Sequence, residues 1–415
     1  MVFIHGGAFK WGSGNNKVYH GEHLAKFGDV VVVDTDYRIG LLGYLYTGDD
    51  DNDAHGNFGL QDQRLALQWV KQNIRNFGGD PEKVILFGQS AGAQSTYAHM
   101  MSRRSEGLFR GVIVESAPFA LPYRTKGEAL IIASKVKEMA RCEVGDVMEC
   151  LRSKSAEEIN DIQEKLTFRI TGTKIDEYFE PIGPVLDGND VSSQPMTAAA
   201  KGYFQKIPIM LGTVSEEGRL FVYGVWKLKL TKTEYELAID GLHPGHSEAI
   251  NKLYPPKPDE NDFRDSLSLI VTDSLFLCPT MNASINMVQN GDVNVFAYLF
   301  DHATVEHGGW GKDSFCEGHV CHAEELGFLF GNHLAGNPTP DEVILSETLM
   351  IYWTNFAHSL DPNIGKYSPA MTWPAFRPNS THILHFQTPQ NNILGNYRKE
   401  YCDVWDKIGY DQVYR

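Results

Sequence analysis

No apolar run in this 415-residue chain reaches the roughly 18 residues that a membrane-spanning helix needs, so no helical span is expected. Positive charge is scarce as well: 37 Lys and Arg stand against 53 Asp and Glu, a formal net charge of −16. That balance disfavours nucleic acid and anionic membranes as partners, because both are bound through clustered cations. Linkers rich in Gly, Ser and Pro are missing, and so are internal repeats, so residues 1–415 read as a single domain. The acidic run Asp49-Asp50-Asp51-Asn52-Asp53 lacks the spacing of a calcium loop and reads as a solvated turn. No pattern calls for a metal or an organic cofactor.

What is present is a series of short apolar strands separated by helix-like stretches. Val30 to Asp34, Val84 to Phe87, Val112 to Glu115, Ile207 to Leu211 and Val293 to Phe300 can serve one sheet. Helical connections between them imply an α/β fold with a doubly wound, mostly parallel sheet. Two further helix-rich segments, 125–203 and 214–273, are expected to cap the carboxyl ends of the strands, where such sheets bind ligands.

The run Val84-Ile85-Leu86-Phe87-Gly88-Gln89-Ser90-Ala91-Gly92 carries the first chemistry. A buried strand meets a helix at a sharp turn, and the turn holds a serine hydroxyl at its apex. Gly88 and Gly92 remove the Cβ atoms that would block so tight an approach. A nucleophile of this kind needs donors for the oxyanion that develops on a substrate carbonyl. Val2-Phe3-Ile4-His5-Gly6-Gly7-Ala8-Phe9 reads as a strand entering a glycine-rich turn, and the N–H groups of Gly7, Ala8 and Ala91 form a candidate three-donor hole.

Four motifs lead up to the serine in order: His5-Gly6-Gly7-Ala8-Phe9, Tyr37-Arg38-Ile39-Gly40, Gly56 to Gln63 (Gly-Asn-Phe-Gly-Leu-Gln-Asp-Gln) and Asn76-Phe77-Gly78-Gly79-Asp80-Pro81. Together they resemble the type B carboxylesterases of the cholinesterase family, from Met1 to about Trp405. The resemblance implies an α/β-hydrolase fold and ester hydrolysis through an acyl-enzyme. A binding or adhesion protein on the same fold, or an inactive fragment, is the alternative; chemically intact candidate residues argue for the enzyme.

In this fold the acid and the histidine follow the serine in that order. Glu217, in Glu216-Glu217-Gly218, is similar to the family's acidic member, with Glu216 as competitor. His302, His307, His319, His322 and His333 compete for the base, and His322 is preferred because Ala323 to Gly331 matches the family's stretch after its catalytic histidine. Its role is to take the proton from Ser90 and pass it to the leaving alcohol, with Glu217 fixing the tautomer.

Cys316 and Cys321, with His319 and His322, resemble a compact zinc site, but ligands this crowded leave little room for a tetrahedral shell. A local Cys316 to Cys321 disulfide is the better reading, with two unpaired thiols as the alternative. The family resemblance implies two further bridges, Cys142 to Cys150 and Cys278 to Cys402. Three bridges point to an oxidising compartment, and the sequons at Asn282 and Asn379 fit a secreted glycoprotein. Against this, Met1 begins inside the oxyanion strand with no signal peptide before it. Family members carry strands upstream, so a truncated or short form with an unpaired strand edge is expected.

The substrate is narrowed by similarity and by absences. Tyr123 falls where the family keeps an acyl-pocket aromatic, and Tyr178 is a second candidate; Phe221 is also assigned to the pocket. Leu220 stands where an aromatic would help bind a choline head-group, and Gln89 replaces a glutamate beside the serine. Both changes weaken cation binding. The expected substrate is a small carboxylic ester or neutral lipid ester with an apolar acyl group.

Overall fold

Apolar residues in the strands alternate in a way that supplies two hydrophobic faces rather than one. In the computed structural model, which describes residues 1–170, 180–257, 259–305, 308–332 and 336–410, Val2, Ile4, Leu86, Val112, Val114, Ile209 and Leu211 enter one core. Phe3, Ile85, Phe87, Ile113, Met210, Tyr298 and Phe300 enter the other, together with Trp353 and Trp373. A sheet apolar on both faces must be covered on both, which is the condition for a parallel sheet with helices on either side.

That sheet has eight strands: β1 (Val2–Ile4), β2 (Val33–Thr35), β3 (Ile85–Gln89), β4 (Gly111–Glu115), β5 (Ile209–Val214), β6 (Val295–Phe300), β7 (His382–Phe386) and β8 (Asn392–Gly395). They are ordered β2-β1-β3-β4-β5-β6-β7-β8, and only the β7–β8 pair is antiparallel. Each strand expected from sequence has a counterpart with shifted bounds: β2 keeps only Val33 and Asp34 of Val30 to Asp34, and β5 starts at Ile209 and runs three residues beyond Leu211. β1 is paired on both sides, and the three-residue β2 and the antiparallel β8 are the two edges of the sheet.

Helix starts follow local chemistry. Thr125, Thr231 and Thr339 each accept from the N–H of a glutamate three residues on, whose carboxylate returns to the threonine N–H. These reciprocal caps open the helices Lys126–Ala140, Lys232–Leu242 and Pro340–Ser359. Helices occur within 125–203 and 214–273, among them Ala156–Ile170, Glu217–Val225 and Arg264–Val271. None of the described helices is long and apolar enough to cross a membrane.

All six cysteines pair as expected: Cys142 with Cys150, Cys278 with Cys402, and Cys316 with Cys321. The second bridge ties helix Lys399–Ile408 to helix Cys278–Gly291. Beside it Arg398 pairs with the buried Asp273, which also accepts from Tyr254 Oη at 2.6 Å. Asp273 belongs to a π-helical turn, Thr272–Leu277, and this turn reaches the candidate site.

Candidate active site

Ser90 sits at φ +60°, ψ −125°, between β3 and the helix Ala91–Met101. A side chain there is strained, and the surroundings hold it: the Ser90 N–H donates to the Glu115 carbonyl at 2.9 Å. All eleven residues of the following helix are buried, since small residues let it lie close against the sheet. A Cβ on Gly92 would stand 1.9 Å from the carbonyl oxygen of Ile4.

The glycine-rich turn after β1 is braced from behind. His5 stacks on Tyr37 at 4.5 Å between ring centroids, and Tyr37 Oη donates to the His5 carbonyl at 2.8 Å. Gly7 and Ala8 both take positive φ, +115° and +53°. The amides of Gly7, Ala8 and Ala91 donate to no acceptor among the described residues. Ala8 and Ser90 line the same pocket, with Gln94, Pro118, Leu121, Glu180, Phe221, Leu275 and Phe276.

Glu217 occupies the first turn of helix Glu217–Val225. Its side chain is wholly buried; Oε1 accepts from the Val214 N–H at 2.9 Å, and Oε2 meets His322 Nδ1. The imidazole lies against Phe221 and Phe276, at 5.0 and 5.2 Å between centroids. The competitors are occupied elsewhere: Glu216 pairs with His319 at 2.9 Å, and His302 with Glu342 at 3.2 Å. His307 and His333, like Tyr178, lie outside the described residues.

One contact was not legible from the sequence. Gln89 Nε2 lies 3.1 Å from His322 Nε2, so with Nδ1–H turned to Glu217 the glutamine amide donates to the free imidazole nitrogen. The Ser90 hydroxyl makes no hydrogen bond among the described residues. Tyr123 is buried behind the pocket, its hydroxyl donating to the Gln94 carbonyl at 2.9 Å. Leu220 is partly exposed and not among the pocket residues, whereas Phe221 is one of them.

A second feature hidden from sequence is the acid beneath the serine. Glu115 ends β4 fully buried, with Trp353 Nε1 donating to it at 2.6 Å. Burial pushes its carboxyl up to about 8, opposed by the tryptophan donor. Burial likewise lifts Glu325 well above the carboxylate range, reinforced by Glu115 and Glu217 as like charges. The folded chain therefore keeps a proton on Glu115 that the unfolded chain has released. Stability from this group is present at low pH and is lost as pH rises from the ordinary glutamate range through about 8. Glu115→Gln retains the Trp353 bond and is expected to flatten the fall of the melting temperature over that window, a result thermal melts at stepped pH will check.

The model for the carboxylesterase family matches residues 1–405. The chain is 34% identical over 420 residues to the crystal protein of Dictyostelium discoideum, covering 99% of this chain and 74% of that protein. It is 35% identical over 416 residues to the cAMP-regulated D2 protein of the same organism, covering 99% and 75%. With the cholinesterase of Mus musculus it shares 32% identity over 433 residues, covering 98% and 68%.

Proposed function

Since the chain belongs to the carboxylesterase family, with its α/β-hydrolase fold, we propose that it hydrolyses small carboxylic esters through an acyl-enzyme on Ser90. The observation that carries this reading is the buried Glu217–His322 pair set beside a pocket that contains Ser90 and the unengaged amide of Ala8. Ser90 Oγ attacks the ester carbonyl carbon while its proton passes to His322 Nε2. The N–H groups of Gly7, Ala8 and Ala91 take the oxyanion. The C–O bond then breaks, and the alcohol leaves with the proton from His322. Water attacks the acyl-enzyme by the same route in reverse and frees the acid.

For Ser90 to reach His322, the Gln89 amide must release Nε2. Catalytic hydrogen bonds are often unformed before substrate is seated, so the contact is compatible with turnover. The same contact is also what favours a second reading, a binding protein with an idle serine, in line with relatives whose names describe no hydrolysis.

The pocket walls of Pro118, Leu121, Phe221, Leu275 and Phe276 support an acyl group that is apolar for most of its surface. Tyr123 and Leu220 take second place, the first acting through Gln94. Three disulfides, with Asn379 exposed, support a secretory or extracellular setting. The sequon at Asn282 lies inside helix Cys278–Gly291, bonded to Asp406, and is the weaker acceptor. Trapping by a fluorophosphonate tests the reaction: one adduct per chain, on Ser90, is the expected product.

A further inference from the structure

One polar side chain in the pocket has no part in that chemistry. Glu180 lines it together with Ser90 and Ala8. Its Oε2 accepts from Gln94 Nε2 at 3.0 Å, one helical turn beyond the serine, whereas Oε1 is shut away from solvent with no hydrogen-bond partner among the described residues. The segment is fixed by its backbone: the Arg124 guanidinium donates to the carbonyls of Glu180 and Pro181, both at 2.8 Å. The carboxyl is thus anchored at one oxygen and unpartnered at the other. A buried acceptor left unmade is costly, and a partner supplied by a ligand removes that cost.

The space in front of it is small. The cavity is about 20 Å³, room for one water or a group of that size. His322, which has to reach the leaving oxygen, is not among the residues of this chamber; Phe221 and Phe276 form the wall on the imidazole side. The chamber therefore takes the tip of the acyl chain, a terminal group the size of one water. Burial lifts the Glu180 carboxyl to about 7, opposed by Gln94 and Arg124, and Tyr37, Tyr44 and Tyr123 are the other titratable groups that feel it. In either protonation state one oxygen can accept a hydrogen bond.

Resting on the hydrolase reading above, we propose that Glu180 is a specificity residue, whose buried, unpartnered oxygen accepts from a hydroxyl or amine at the tip of a short acyl chain. The preferred substrates are then hydroxyacyl or aminoacyl esters, apolar along the walls and polar at one point, rather than the alkyl esters of the same size.

The test compares umbelliferyl 3-hydroxypropionate with umbelliferyl butyrate, which differ by hydroxyl against methyl. The wild-type chain is expected to favour the hydroxyacyl ester by about tenfold or more in kcat/KM. Glu180→Leu should reverse the preference, and Glu180→Gln, which keeps an acceptor oxygen, should retain it. Fluorophosphonate labelling of Ser90 in each variant reports separately on whether the catalytic groups are assembled. A chain that labels at Ser90 but treats the two esters alike, or favours butyrate, overturns the proposal while leaving the hydrolase reading intact. No labelling of the folded wild-type chain overturns both.

Discussion

His322→Ala is expected to lower kcat for ester hydrolysis by at least about 10⁴-fold, and His319→Ala to leave it nearly unchanged. The two histidines are three residues apart, and each faces a glutamate of the same dipeptide, so sequence spacing cannot separate them. Their surroundings do. The Glu216–His319 pair is well exposed, its side chains retaining 39% and 37% of their accessible surface. Such a pair is screened and contributes little. Glu217 and His322 retain 0% and 5%. The carboxylate is held by the Val214 N–H, and the ring packs against the stacked pair of Phe221 and Phe276. A base oriented in this way loses its function if the imidazole is removed, and nothing nearby replaces it. Glu217→Gln should cost a comparable factor, because the amide no longer stabilises the imidazolium. Steady-state kinetics on variants that melt cooperatively will check these values. Loss of activity in His319→Ala with retention in His322→Ala would assign the base to the wrong residue.

Gly92→Ala should damage stability and chemistry together. The added methyl would stand 1.9 Å from the Ile4 carbonyl oxygen and 2.8 Å from that of His5, both backbone atoms of β1 and the turn that follows it. Backbone within a paired strand cannot turn aside as a long side chain can, so the helix must shift outward. Overpacking of this kind costs about 1–3 kcal/mol or more. The shift also moves Ser90 away from the amides of Gly7 and Ala8, and a displacement of about 1 Å at a reacting atom is worth on the order of 10²-fold in rate. Gly127 is the control, since it is exposed in helix Lys126–Ala140 and its Cβ would meet only Thr125 Oγ1, at 4.0 Å. Gly127→Ala is expected to raise stability by about 0.4–1 kcal/mol and leave the rate alone. Chemical denaturation and kcat/KM on the two variants separate a steric effect at the turn from a general effect of helix composition.

The parts of this molecule that could be read from sequence are those written in local pattern. Continuous apolar runs gave β3, β4 and β6, and the small residues around Ser90 marked a close strand-to-helix turn. β7 and β8 carry no such run: His382 and His385 interrupt the first, and β8 is only partly buried, so their pairing comes from tertiary contact. The two-histidine ambiguity had the same origin. Glu216 and Glu217 differ by one residue in sequence but face solvent and core respectively, because helix Glu217–Val225 starts between them. Gln89, Glu115 and Glu180 were missed in these roles for a common reason. Each acts through a partner distant in the chain, His322, Trp353 and Gln94 respectively, and a polar residue's burial is not encoded in its neighbours.

The most direct measurement of the central claim is intact-mass and peptide-mass analysis of the chain after exposure to a fluorophosphonate, with Ser90→Ala alongside. One adduct per chain, mapped to Ser90 and absent from the variant, is the predicted result. On the proposed assignment, that labelling draws on a nucleophile activated by His322 and an oxyanion site formed by the Gly7, Ala8 and Ala91 amides. A cooperatively folded wild-type chain that takes up no adduct, or carries it on another residue, would contradict the account and favour a binding protein on a hydrolase fold.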